Sequence, residues 1–317
     1  MSIAQIAKGS TATRFNSPQA QARRARQRLR ERLIELLLLA CGAASVAITI
    51  AIVVVLLYES ALFFRHVSVF EFLTGTVWTP LFADAKYGIL PLVSGTLLSS
   101  GVALLVAFPL GMVIAIYLSE FADERVRETL KPFLELLSGI PTVVYGYFAL
   151  LFITPLLQAT ILPNLPGFNV LSAGIVMGIM IIPYISSLSE DAMRAVPNAL
   201  REGSLAIGAT RLQTAVKVVL PAAFSGLAAA AVLAVARAVG ETMIVAIAAG
   251  QQPNFTFDPT ESAATVTAYI AQVALGDLPH GSIAYQSIFA AGLTLLGMTL
   301  VFNLAAYALR RRFREAY

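Results

Sequence analysis

The chain has 317 residues, of which 58% are hydrophobic and only 13% charged, and its mean hydropathy is +0.78. Soluble domains carry about 25% charged residues, so the composition excludes an ordinary soluble protein. Several charge-free runs reach the length of about 20 residues that a helix needs to cross a bilayer. A membrane β-barrel would show short alternating segments instead. We therefore predict an all-α polytopic membrane protein.

Apolar runs predict six membrane-spanning helices. The first run is longer than the 7–15 apolar residues of a signal peptide, so we expect an uncleaved helix. Pro163, Pro166 and Gly167 separate the third span from the fourth, because they favour a turn. The predicted spans are Ile34–Tyr58, Ile89–Leu118, Phe133–Leu157, Leu171–Leu188, Ala223–Gly250 and Ser287–Leu309.

The basic residues predict the orientation of these spans. The N-terminal tail holds eight Lys and Arg residues, the loop after the second span three, the loop after the fourth four, and the C-terminal tail four. The opposite loops hold only Arg65 and Lys86. By the positive-inside rule, both termini lie in the cytoplasm. Because the net charge of +4 belongs to these membrane flanks, we expect no nucleic-acid partner.

This topology divides the chain into four parts. We predict a basic cytoplasmic tail over residues 1–32, then a first span with an outside loop over 33–88. The transmembrane core follows over 89–310, and a basic tail over 311–317 ends the chain. Within the core, residues 189–222 form a long cytoplasmic loop. Cys41 is the only cysteine, and we expect it to be a buried packing residue rather than a redox or metal site.

Individual residues give expectations about the bundle. The alanine-rich fifth span should lie inside it and the aliphatic first span should face lipid, because small residues let helices approach closely. Pro109, Pro141 and Pro183 fall within the second, third and fourth spans and should kink them. Glu135 should lie at the start of the third span as a structural residue. Trp78 should be an aromatic anchor at the membrane interface.

The loop between the fourth and fifth spans has helical character. Pro197 marks a break before it, Pro221 ends it, and Gly208 permits a tight bend. Its apolar residues recur at three- and four-residue intervals: Leu205, Ile207, Leu212, Val216, Val219 and Leu220. We predict a helical hairpin against the cytoplasmic face. Periodicity alone favours a solvated amphipathic loop that binds no partner.

Arg237 and Glu241 form a charged pair in the middle of the fifth span. Each central charge costs about 2.5–3.5 kcal/mol on insertion, whereas an i,i+4 ion pair returns about 0.2–0.5 kcal/mol on an exposed helix. We therefore expect these groups also to meet water, a partner helix or a substrate. One interpretation is a pair that locks helix packing. The other is a translocation path, in which Arg237 attracts an anion. Glu241 would then neutralise the charge of Arg237 when no anion is bound.

The segment Glu202–Pro221, EGSLAIGATRLQTAVKVVLP, resembles the signature cytoplasmic loop of ABC-importer permeases. The resemblance implies a type I permease fold in which this loop is a coupling helix that docks into an ATPase subunit. It departs from the family at two positions, where Gly203 and Ser204 replace the usual alanines. The residues that occupy the motif positions, including these two small replacements, are Glu202, Gly203, Ser204, Gly208, Val218, Leu220 and Pro221.

A narrower resemblance covers most of the chain from about residue 55. The RAVGET sequence around Arg237, together with residues 87–100, 135–150 and 285–303, looks like the phosphate-importer permease family of the PstC type. The resemblance implies that Arg237 and Glu241 take part in phosphate passage through a bacterial inner membrane. It also implies a second permease of the PstA type, two ATPase subunits of the PstB type and a periplasmic phosphate-binding protein of the PstS type.

Other functions remain as alternatives. A membrane-embedded enzyme is disfavoured because the only histidines, His66 and His280, lie in separate loops and no metal or cofactor motif is present. The chain has no Gly-Lys dipeptide and so no nucleotide-binding loop of its own, which assigns ATP hydrolysis to a partner. A secondary transporter or channel would need no ATPase. A permease for another oxyanion, such as sulfate or molybdate, is the nearest rival.

Overall fold

The structure is a computed structural model that describes residues 18–312, with side chains described at residue 27 and over residues 30–308. Over this range the chain is helical and its only β-type pairings are isolated bridges. The helices, in chain order, are α1 Pro18–Phe63, α2 Val69–Thr74, α3 Leu90–Phe121, α4 Glu124–Ser138, α5 Thr142–Thr160, α6 Val170–Arg194, α7 Asn198–Ala206, α8 Arg211–Ala222, α9 Phe224–Val239, α10 Met243–Ala248, α11 Val266–Ala274 and α12 Ile283–Arg312.

Five of the described helices are long and apolar enough to cross a bilayer: α1, α3, α5, α6 and α12. Helices α8 and α9 also pass this test together, although the chain bends by 74° between them. Counting this bent pair as one span gives six. The predicted all-α membrane class is therefore confirmed.

The chain divides into two compact units, residues 1–58 and 59–317. Within the described residues, the first unit consists of helix α1 up to residue 58, and its apolar side chains lie on all sides of the helix. Cys41 is exposed on this helix, so the prediction that it is a buried packing residue is wrong. A helix that is apolar all round suits contact with lipid.

Helix α6 is the centre of the second unit. Most of its side chains are buried, and it packs closely against α3 and α9. Gly178 permits this approach, because a Cβ atom there would lie 2.8 Å from the backbone oxygen of Ala103 on α3. Gly111 on α3 likewise faces Ile185, with 2.8 Å between the ideal Cβ position and the isoleucine side chain. Small residues thus set the spacing of the two helices.

One end of the second unit, which we call the aromatic end, is closed by a cluster of rings. Trp78 is only 2% exposed and contacts Phe72, Tyr87 and Tyr269 edge-on, with 5.0 Å between the ring centroids of Trp78 and Tyr269. Such edge-to-face contacts add stabilisation beyond apolar burial. The prediction that Trp78 is an interfacial anchor is wrong. It is a core residue instead.

The opposite end, which we call the hairpin end, has a smaller apolar cluster. Met193 at the end of α6 and Ala115 near the end of α3 pack there with Val219 and Leu227, which lie on either side of the α8–α9 bend. Helix α3 therefore runs from the aromatic end, where Leu92 is buried, to the hairpin end. The cluster joins the ends of two spans to the segment between α6 and α9.

The third and fourth spans differ from their predicted bounds. The third begins at Thr142, not at Phe133, because Gly139 and Pro141 separate it from the amphipathic helix α4. Pro141 thus precedes the span instead of kinking it, and Glu135 lies exposed near the end of α4. The fourth span continues to Arg194, so the loop predicted to start at Ser189 begins only after that residue. Pro109 and Pro183 lie within helices, as expected.

The fifth span is interrupted, although we predicted one helix over Ala223–Gly250. Helix α9 ends at Val239 and α10 starts at Met243, so the break lies within the RAVGET sequence. The expectation that this span lies inside the bundle holds for one face of α9 only, since Ala234 is buried while Leu233 is exposed. Periodicity could not reveal the break, because apolar residues continue on both sides of it.

Gly95 on α3 gives a test of this packing. A methyl group at Gly95 would overlap the backbone oxygen of Ala264, whereas one at Gly101 on the same helix meets nothing within 4 Å. We expect Gly95→Ala to lower the free energy of unfolding by about 1–3 kcal/mol through overpacking. Gly101→Ala should leave it unchanged or raise it. Thermal unfolding of both purified variants in detergent checks this, and equal midpoints would contradict the packing described above.

Candidate functional site: a helical hairpin and a broken membrane helix

The predicted helical hairpin is present. Helix α7 starts directly after Pro197 and α8 follows after a turn centred on Gly208, which has a φ of +89°. No atom lies within 4 Å of the position that a Cβ on Gly208 would take. Gly208 is therefore required for its backbone conformation and not for space, because other residues rarely adopt a positive φ. The predicted bend is confirmed.

Side-chain hydrogen bonds hold the hairpin together. The hydroxyl groups of Ser204 on α7 and Thr214 on α8 lie 2.9 Å apart, and both residues are buried. Thr210 caps the start of α8, since its hydroxyl accepts a hydrogen bond from the Gln213 backbone while the Gln213 side chain accepts one from the Thr210 backbone. This reciprocal arrangement satisfies two exposed backbone donors. The hairpin is thus a defined structure and not a loose loop.

Arg201 connects the hairpin to two membrane spans, a role that the sequence analysis missed. Its guanidinium group donates to both carboxylate oxygens of Glu120 at the end of α3, at 3.0 and 3.2 Å. It also donates to the backbone oxygens of Met193 and Val196 at the end of α6, at 2.8 and 2.6 Å. A forked guanidinium group can satisfy several acceptors at once. Glu120 and Arg201 are 81 residues apart, so no local pattern in the sequence indicates the pair.

A second ionic cluster fastens α4 to α6. The fully buried carboxylate of Glu190 accepts hydrogen bonds from Arg127 and Lys131, each at 2.7 Å, and Lys131 also binds Asp191 at 2.6 Å. Burial alone would lower the pKa of Lys131, but the hydrogen bonds and charges of Asp191 and Glu190 outweigh it and raise the pKa. Lys131 therefore stays charged at neutral pH. In the sequence, the only indication of this cluster was Glu190, a carboxylate near the end of an apolar helix.

The motif residues of the hairpin divide into two groups. Ser204, Val218 and Leu220 are buried or half-buried, whereas Glu202, Gly203 and Pro221 are exposed. Large apolar side chains are exposed beside the second group: Leu205, Ile207, Leu212 and Val216, of which Ile207 is 88% exposed. Together with Glu202 and Gly203, these four form what we call the hairpin surface. Exposed apolar surface is a feature of many interaction sites.

The break in the fifth span is held by Glu241, which is 4% exposed. Its carboxylate accepts hydrogen bonds from the backbone nitrogens of Met243 and Ile244, at 3.0 and 3.3 Å, and so caps α10. Its backbone oxygen accepts a hydrogen bond of 2.6 Å from the Thr267 hydroxyl on α11. These bonds satisfy backbone groups that a broken helix leaves unpaired. Glu241 is therefore a capping residue, which the sequence analysis did not foresee.

Arg237 lies in the last turn of α9, four residues before Glu241. Within the described residues it forms no ion pair, so the expected pair with Glu241 is not present. Its guanidinium carbon lies 5.7 Å from the ring centroid of Tyr184 on α6, a cation–π distance. Its buried Nε has no hydrogen-bond partner among the described residues.

A metal site is not indicated. Among the described residues, no group of three or more His, Cys, Asp or Glu side chains is arranged to hold a metal ion.

Comparison with known proteins identifies the family. Residues 107–315 match the family described as "Binding-protein-dependent transport system inner membrane component". The chain belongs to this family of ABC-importer permeases. Its relatives include the probable ABC transporter permease protein YqgH of Bacillus subtilis, 41% identical over 75% of this chain and 76% of the relative. The phosphate transport system permease protein PstC of Mesorhizobium japonicum is 35% identical over 76% and 79%.

Solved structures show the same fold. A bacterial ABC transporter that imports the acidic polysaccharide alginate aligns with a TM-score of 0.65 at 19% identity, covering 92% of this chain and 100% of that one. The MetNI methionine transporter in an inward-facing conformation aligns with a TM-score of 0.52 at 18% identity, covering 72% and 94%. Our chain is thus a multi-pass inner-membrane permease subunit. Such a subunit works with a partner permease, an ATPase and a periplasmic binding protein.

Gly208 can be tested against Gly203 in the same hairpin. We expect Gly208→Ala to destabilise the turn by about 1–2 kcal/mol, because alanine disfavours the left-handed conformation. Gly203→Ala, in a helix with open space at the Cβ position, should be neutral or stabilising. The rate of trypsin cleavage after Arg211 and Lys217 reports on the hairpin. Equal rates in the two variants would show that the turn does not need a glycine.

Arg201→Lys tests the link to the spans. Lysine keeps the charge but cannot make the forked contacts with Glu120 and two carbonyl groups, so the free energy of unfolding should fall by about 1–3 kcal/mol. Arg211→Lys, at an exposed position of the same hairpin, is the matched control and should change little. Thermal unfolding in detergent measures both. A loss no greater at Arg201 than at Arg211 would contradict the role of the link.

Proposed function

We propose that this subunit moves inorganic phosphate into the cell, by alternating access, within an ATP-driven importer. The observation that carries the proposal is Arg237, an arginine in a membrane span whose side chain has no anionic partner among the described residues. The relatives support the proposal. The phosphate transport system permease proteins PstC of Mesorhizobium japonicum and of Haemophilus influenzae are each 35% identical to this chain. Placing a charged guanidinium group within a membrane span is unfavourable in free energy, and binding an anion offsets this penalty.

Arg237 suits phosphate for reasons of geometry and charge. A planar guanidinium group can donate two hydrogen bonds to neighbouring oxygens of one oxyanion. Between transport cycles the ring of Tyr184 partly compensates the positive charge, at a centroid distance of 5.7 Å. A cation–π contact is weaker than a buried ion pair. Phosphate can therefore displace it and still be released.

Glu241 remains part of the proposed pathway, in a role that differs from the one expected. We assign it to holding the break between α9 and α10, since its carboxylate binds the backbone nitrogens of Met243 and Ile244. The break ends α9 two residues after Arg237. Glu241 thereby helps to fix where the guanidinium group lies in the span.

The hairpin surface is the proposed docking site for the ATPase. Glu202, Gly203 and Pro221 are exposed for contact, and Gly208 shapes the turn. Ser204 holds the hairpin together through its hydrogen bond with Thr214, Leu220 packs against the apolar cluster at the hairpin end, and Val218 is half-buried. Arg201 then passes a displacement of α7 to the ends of α3 and α6 through its hydrogen bonds. A push by the ATPase can in this way move spans as rigid bodies.

The proposed assembly follows the PstC resemblance. It contains a second permease of the PstA type, two ATPase subunits of the PstB type and a periplasmic phosphate-binding protein of the PstS type, with membrane lipid around the spans. We place both termini and the loop 189–222 in the cytoplasm, where the ATPase lies. We propose a first span with its outside loop over residues 33–88 and the transmembrane core over 89–310. The predicted tails, 1–32 and 311–317, lie partly outside residues 18–312, which the structure describes.

Another oxyanion, sulfate or molybdate, is the remaining alternative. The guanidinium group of Arg237 would bind any of these tetrahedral anions, so phosphate is favoured only by the named relatives. A secondary transporter is disfavoured by membership in the ABC permease family.

Uptake by cells that lack the native gene tests the proposal. Cells carrying this chain and its partner subunits should take up radiolabelled phosphate, and unlabelled phosphate should compete far better than sulfate or molybdate. Arg237→Gln should abolish uptake while the complex still assembles, because the guanidinium fork is lost. Arg237→Lys keeps the charge and should retain only part of the activity.

The outcomes separate the alternatives. Competition by sulfate or molybdate in place of phosphate would assign the permease to that anion. Uptake at the native rate by the Arg237→Gln complex would remove Arg237 from the pathway. Glu241→Gln should preserve assembly, since its amide oxygen can still accept the two backbone hydrogen bonds.

A further inference from the structure

Helix α4 (Glu124–Ser138) is attached to the bundle by its charged side. Its contacts with α6 include the ion pairs of Arg127 and Lys131 with Glu190 and Asp191. None of its own residues is buried, and none belongs to an apolar cluster among the described residues. Helices at the surface of soluble proteins do the opposite, since they pack their apolar face inward.

The apolar side chains of α4 form a stripe on another face. Val126, Leu130, Phe133 and Leu137 recur at four- and three-residue intervals, which places them on one side of the helix. They are 38–63% exposed, with Phe133 at 63%, and the neighbouring Leu136 is 67% exposed. Leaving this many apolar side chains in water is unfavourable by about 25 cal/mol for each Å² of apolar surface. The stripe would therefore be more stable in apolar surroundings than in water.

The position of α4 in the chain indicates what these apolar surroundings are. Only Ala122 and Asp123 separate it from the span α3, and only residues 139–141 separate it from the span α5. Each residue extends the chain by at most about 3.6 Å, so both ends of α4 stay close to the ends of membrane spans. The helix thus lies at the boundary between the hydrocarbon core and water.

We propose that α4 lies in the membrane interface, with the stripe Val126, Leu130, Phe133 and Leu137 buried among the lipids of the leaflet at the hairpin end. The exposed carboxylates of Glu124, Glu128 and Glu135 face water, and Arg127 and Lys131 hold the helix to α6. Amphipathic helices of this kind insert about 5–10 Å into the headgroup and acyl boundary. Lipid is thereby a second support for the end of α6 that carries the hairpin.

Spin labels on opposite sides of α4 test this placement. Cys41 is first replaced by alanine, and single cysteines are introduced by Phe133→Cys and, as the matched control, Glu128→Cys. Each labelled chain is assembled with its partner subunits in liposomes. At position 133 we expect collisions with oxygen, which concentrates in lipid, to exceed collisions with a water-soluble nickel chelate several-fold. At position 128 the preference should be reversed.

Two results would overturn the proposal. Dominant collisions with the nickel chelate at position 133 would place the stripe in water, and protection from both reagents would show that another subunit covers it. Leu137→Cys repeats the measurement on the same stripe should the first variant not assemble. The experiment needs no transport, so its failure leaves the phosphate proposal standing, and loss of phosphate uptake would leave this placement untouched.

Discussion

The close packing of α3 against α6 is the contact on which the rest of the structure depends. Gly111 and Gly178 let the two backbones approach, and apolar side chains of α6 fill the space between α3, α5 and α9. In lipid, helix association relies on such packing because the surroundings are as apolar as the side chains. Since both helices reach the hairpin end, the same contact provides a rigid base for the hairpin.

Charged groups act at the ends of that packed pair, where water is within reach. Glu120 at the end of α3 and Glu190 near the end of α6 each gather cationic side chains, from Arg201 in one case and from Arg127 and Lys131 in the other. Buried carboxylates require partners of this kind, because an unpaired charge is strongly unfavourable. The two clusters orient α7 and α4 relative to the spans, and α4 is held to α6 by its charged side alone.

The fifth span combines stability and function in one irregular segment. Its interruption would leave backbone groups unpaired, and the Glu241 carboxylate and the Thr267 hydroxyl satisfy them. Non-helical backbone within a membrane is tolerated only where the protein supplies such partners or lines a cavity. Arg237, one turn earlier, keeps an unpartnered buried Nε instead. The contrast between a satisfied carboxylate and an unsatisfied guanidinium group gives the substrate proposal its physical basis.

By itself the sequence determined the membrane class, the apolar spans and the hairpin with its glycine bend. Each of these depends on local signals, namely long apolar runs and the apolar spacing between Pro197 and Pro221. Only the tertiary structure decided that Trp78 is buried, that Glu241 caps a helix and that Arg201 binds Glu120. These depend on partners distant in sequence or on backbone groups left unpaired by a break, and no periodic pattern encodes either.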